Sequence, residues 1–235
     1  MPAELDFLQL IDILSKTKAK KAYSQKAKRL LELALKHTNC FYPYRLALEL
    51  DRRGYPISEL EDHIIQLATY SHWNLYYLVI FAKNITGANL EKLQRAVIKI
   101  NNPELMAEFS TVKDSDKDHL EQLILSAKRP RASYLFLTYH KEHSLKHFQI
   151  LISSKKSKYL YKCACLTKEA KEFSKIEDLL LKNRSIYYIR LLATQPLANQ
   201  TKIEDRIIST LDLEEIKKLY QQTKSDRLIK YLLVM

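Results

Sequence analysis

The chain has 235 residues, 46% of them hydrophobic, and only two glycines (Gly54, Gly87) and six prolines. That excludes a disordered chain and argues against a sheet protein, which needs many turn glycines, so an all-α fold is expected. The formal charge is +12 and uneven, with +5 over residues 1–58, −3 over 59–116, +8 over 117–168 and +2 over 169–235. Two basic blocks of this kind suit an acidic partner.

Cys40, Cys163 and Cys165 are odd in number and have no framework spacing, which suits a reducing compartment. No run of 18 apolar residues is present, so no transmembrane span is expected. The N-terminal segment places acids before its apolar stretch and bases after it, the reverse of a secretory leader. The expected location is intracellular, cytoplasmic or nuclear.

Leu5, Leu8, Ile11 and Leu14 stand at helical spacing, so residues 1–28 read as an N-terminal helix followed by a Lys-rich connector (Lys16 to Lys28). Residues 29–235 read as one repeat array. A Leu or Ile followed by an acid recurs at Leu31-Glu32, Leu60-Glu61, Leu90-Glu91, Leu120-Glu121, Ile176-Glu177 and Ile203-Glu204; Leu145-Lys146 keeps only the hydrophobe. The acid is expected in the first helical turn, facing the positive end of its own helix dipole.

A second marker falls at Tyr44, Tyr77, Leu105, Tyr134, Tyr159, Tyr188 and Ile216, with spacings of 33, 28, 29, 25, 29 and 28 residues. Two markers keeping step over seven units predict about seven stacked helix pairs. Arg227–Met235 resembles the opening helix of an eighth. Each helix is too short to stand alone in water, so stacking must supply the stability. The repeated tyrosines are expected at the core edge, rings packed and hydroxyls outward.

This pattern resembles the HEAT-like class of α-solenoids in a short-repeat form, with no tetratricopeptide signature. The resemblance implies a right-handed stack of helix pairs. It also brings in the alkylpurine DNA glycosylases of HEAT-like fold, but the single tryptophan, Trp73, does not reproduce their groove pattern. No catalytic residue is assigned on that likeness.

Basic residues concentrate in the turns inside three central units: Lys128, Arg129 and Arg131; Lys155, Lys156 and Lys158; Lys182 and Arg184. Equivalent turns of a solenoid stack about 10 Å apart along one edge, so these eight side chains are expected to form a ribbon. Helix N-termini beside them attract anions, with Ser133, Ser157 and Ser185 as candidate caps. Neighbouring Tyr134, Tyr159, Tyr161, Tyr187 and Tyr188 add stacking capacity.

The expected function is therefore a non-catalytic scaffold that binds RNA, DNA or another polyanion through these turns; the alternative is a protein–protein scaffold within a larger complex. Among other candidates, His140, His143 and His147 lie near Cys163 and Cys165 but do not match a zinc spacing, so no metal or other cofactor is expected. His140 and His143 are expected in a loop, and Cys163 in the core.

Overall fold

The computed structural model describes residues 2–140, 144–183 and 185–234, with side chains from Phe7 onward. Among them the regular secondary structure is helical throughout: sixteen α-helices and one 3-10 turn. In chain order they are α1 (Pro2–Lys16), α2 (Lys20–Ala34), α3 (Phe41–Arg52), α4 (Ser58–Tyr70), the 3-10 turn His72–Asn74, α5 (Tyr76–Asn84), α6 (Leu90–Ile100), α7 (Pro103–Phe109) and α8 (Lys117–Ala127). There follow α9 (Pro130–His140), α10 (Leu145–Ser153), α11 (Ser157–Leu166), α12 (Ala170–Leu181), α13 (Ile186–Leu192), α14 (Gln200–Ile208), α15 (Leu213–Thr223) and α16 (Asp226–Val234). That is one N-terminal helix, seven consecutive pairs and an eighth opening helix. The all-α helical-repeat reading holds.

The chain divides into two compact units, Met1–Ser126 and Ala127–Met235. In the first, α1, α3, α5 and α7 pack side by side, while α4 and α6 lie against each other and against that row. In the second, α9, α11, α13 and α15 form the row; α10, α12, α14 and α16 lie against it. Helices as short as the seven-residue α7 and α13 persist because each buries an apolar stripe. The core of the second unit runs from Leu137 through Leu160, Ile176, Ile189 and Ile207 to Leu228. Each such side chain contributes roughly 1.5–3 kcal/mol by leaving water.

Every first marker falls on the first helix of its pair: Leu90 and Leu145 open α6 and α10, and Glu61 and Glu91 stand in the first turns of α4 and α6, but other markers lie further in. Glu32 lies near the C-terminal end of α2 and Glu177 in the second half of α12. The connector is also shorter than expected, since Lys20–Lys28 is already helical. Burial gives the register, a buried residue (apolar in all but His147) with a core residue four positions on: Leu60 and Ile64, Leu93 and Val97, Leu120 and Ile124, His147 and Leu151, Ile176 and Leu180, Ile203 and Ile207. The residue between them, one after the first, is Glu61, Gln94, Glu121, Phe148, Glu177 or Glu204.

That position joins one repeat to the next. Glu61 Oε1 accepts the backbone N–H of Asn89 at 2.7 Å, and Glu177 Oε1 that of Asn199 at 2.8 Å. Gln94 Oε1 accepts the N–H of Asp116 at 2.9 Å. The three donors are the residues that cap the following helix, through Lys92 N, Lys202 N and His119 N. Glu61 and Glu177 therefore face the positive start of the next repeat's first helix, while Glu61 and Glu91 also stand in the first turn of their own, as expected. Exposed pairs stand beside the joint: Lys92 with Asp62 at 2.6 Å, Lys202 with Asp178 at 2.9 Å, and Arg227 with Asp205.

Candidate polyanion-binding face

The basic turns of the second unit differ in backbone from ordinary helix ends. Lys128 and Lys155 adopt the left-handed conformation, with φ of 50° and 53°. Asn101 and Leu211 do the same in the corresponding turns of other repeats. Glycine or asparagine fits this conformation with less strain than lysine.

The helices after these turns are also unusual. α7 and α15, which follow non-basic turns, are capped by Asn102 and Asp212 and carry acids in their first turn. No described side chain caps α11 or α13, and neither has an acid in its first turn. The three candidate cap serines do not cap: Ser133 is the fourth residue of α9 and fully buried, Ser157 is already inside α11, and Ser185 stands before α13 without closing the bond. First-turn positions that suit acids instead hold Arg131 on α9 and Lys158 on α11.

Arg131 and Lys158 therefore belong to helix starts rather than to the turns themselves. They are brought together with a residue the turn pattern misses, Lys162, one helical turn after Lys158. Burial, then the charges of Lys158 and Arg131, hold the Lys162 ammonium below the usual lysine range. Its Nζ sits 3.7 Å from the centre of the Tyr134 ring. The signal for Lys162 was its i+4 spacing from Lys158, readable only once α11 was known to start at Ser157.

A second grouping lies one repeat further on. Lys155 and Lys182 line one shallow cavity of about 330 Å³ with Ile152, Leu160, Leu179 and Asn183. Asn183 Nδ2 donates to the Lys155 carbonyl at 2.9 Å, tying the two turns together. Lys128, Arg129 and Lys156 are exposed, Lys156 directly before α11. Arg184 lies outside the described residues. Among the described residues Arg131, Lys155, Lys156, Lys158, Lys162 and Lys182 make no ion pair.

The repeated tyrosines are half-buried, as the core-edge reading requires. Tyr161 and Tyr188 tilt together at 5.9 Å, and Tyr188 meets the more exposed Tyr187 edge-on at 5.1 Å. His140 closes α9 instead of lying in a loop; it and the buried His147 both pack on Phe136, at 4.5 and 4.7 Å. His143 lies outside the described residues. Burial pushes the thiols of Cys40 and Cys163 up to about 12, as suits core residues.

No family model, curated protein or solved structure matches this chain. No described helix is long and apolar enough to cross a membrane. The site's chemistry alone must suggest its use.

Proposed function

We propose that the protein is a non-catalytic binding scaffold whose second unit holds a nucleic-acid strand by its phosphates. The observation that carries this reading is the crowding of Arg131, Lys158 and Lys162, which form no ion pair among the described residues. Like charges held together cost the folded state free energy, and a bound polyanion would remove that cost. The uncapped start of α11 offers free backbone N–H groups beside the same cations. Lys155 and Lys182 extend the track, and Tyr187 offers an exposed ring for a base.

The test is fluorescence anisotropy of a labelled single-stranded oligonucleotide across a salt series. R131S/K158S/K162S should weaken binding ten- to a hundred-fold. It should also flatten the log K versus log salt slope by about 2, at roughly 0.7 per lost phosphate contact. Unchanged affinity and slope, with the fold intact by circular dichroism, would remove the reading.

A further inference from the structure

The first unit carries a separate feature, a groove between α1 and α3. It encloses about 300 Å³ and is lined by Leu8, Ile11, Asp12 and Ser15 from one helix and Phe41, Arg45, Leu48, Glu49 and Arg52 from the other. These positions recur every three or four residues on both helices, so the groove runs along about two turns of α1 and three of α3. Its apolar residues are Leu8, Ile11, Phe41 and Leu48, of which Leu8 is 38% exposed.

The charges in the groove are unbalanced. Asp12 pairs with Lys16 at 2.6 Å, while Glu49 pairs with Arg53 at 3.4 Å and accepts from the Tyr23 hydroxyl. Both acids are thus engaged. Arg45 and Arg52 are exposed and make no ion pair among the described residues. They stand seven residues apart on one face of α3, about 10.5 Å along its axis, with Leu48 between them.

We infer that this groove is a docking site for an acidic amphipathic helix of a partner protein. A helix lying along it would place carboxylates at i and i+7 opposite Arg45 and Arg52. Apolar side chains at i+3 and i+4 would fill the space over Leu8, Phe41 and Leu48. Arginine suits this task because its planar fork grips a carboxylate through two hydrogen bonds. A groove walled by two helices receives a third by the same side-chain interlocking that builds the array.

The probe is a labelled helical peptide with Glu at i and i+7 and Leu at i+3 and i+4, titrated into the full chain by anisotropy. Binding is expected to fall at least tenfold in R45E/R52E and in R45Q/R52Q, the milder pair serving if the charge reversal unfolds the chain. It is also expected to fall with a peptide carrying Lys in place of both Glu. R131S/K158S/K162S should leave it unchanged, so this site and the nucleic-acid face fail independently. Equal binding by the Lys peptide, or by either arginine variant in folded form, would overturn the assignment. So would an oligonucleotide that binds the native groove and is lost in R45Q/R52Q, since the arginines would then serve a polyanion.

Discussion

Two parts of the second unit use similar helices and opposite electrostatics. From α12 to α16 the cations that bridge helices are matched by acids: Lys202 with Asp178, Arg227 with Asp205 and Glu204, and Arg190 with Glu215 at 2.9 Å. From α9 to α11 no acidic residue occurs in any of the three helices, and burial, then the charges of Lys158 and Arg131, hold the Lys162 ammonium below its usual range. The position that elsewhere holds a joining Glu or Gln is occupied in α10 by Phe148. Where charge is used to hold repeats together, acids accompany bases. Where it is left unmatched, it is the charge on which the proposed polyanion binding rests.

The matched part should suffer most from losing an acid. Glu177→Ala removes the acceptor for Asn199 N–H and should cost about 2–3 kcal/mol, the range for a hydrogen bond to a charged group left unmade. Urea unfolding measures it, and Glu177→Gln, which keeps an acceptor oxygen, should recover most of the loss. If both substitutions cost the same, the joint is packing rather than hydrogen bonding.

The unmatched part should respond in the opposite sense. Lys158→Glu relieves repulsion on Lys162 and places an acid in the first turn of α11, so thermal stability should rise by about 0.5 kcal/mol. The same change should abolish oligonucleotide binding. A variant that lost both stability and binding would show that the cluster is structural.

In the first unit, burial holds the Glu61 carboxyl above the ordinary range, despite the Asn89 N–H and Lys92. A raised carboxyl binds its proton more tightly in the folded state. Its ionised form therefore costs stability at neutral pH, and that cost disappears as pH falls through the raised value. Glu61→Gln should be nearly neutral or slightly stabilising at pH 7, and its advantage should shrink toward pH 4 in paired urea titrations. Smallest of all, Lys202→Ala removes an exposed pair, and should leave both the urea midpoint and oligonucleotide affinity where they were.

The fold was legible because a stacked helix pair writes its period twice. Tyr44, Tyr77, Tyr134, Tyr159 and Tyr188 all landed on second helices, and the 33-residue gap between the first two is the inserted 3-10 turn that carries Trp73, 92% exposed. The helix register was harder to read. Leu90-Glu91 looked like a marker pair, but the buried pair is Leu93-Val97, so the residue that reaches the next repeat is Gln94. Leu and Glu are common helix formers, and only packing decides which of two candidate stripes faces inward.

The candidate face was half legible for the same reason. A run such as Ser154–Lys158 announces exposed charge, but not which lysines share a helix face. Lys162 does not show in the turn pattern, and the candidate cap serines fall at three different places: at the fourth residue of α9, at the first residue of α11, and at the cap position of α13 without its bond. A residue's role at a helix end changes completely between such places.

Phe148 has one more consequence. A phenylalanine side chain cannot accept a backbone N–H as Glu177 does, so this position contributes apolar contact instead. Apolar contact resists separation without the directional restraint of a hydrogen bond. A phosphate strand lying across Arg131, Lys158 and Lys182 would run past this position and add a restraint there. Hydrogen exchange in α10 and α11 should therefore slow on binding more than exchange in α14 and α15.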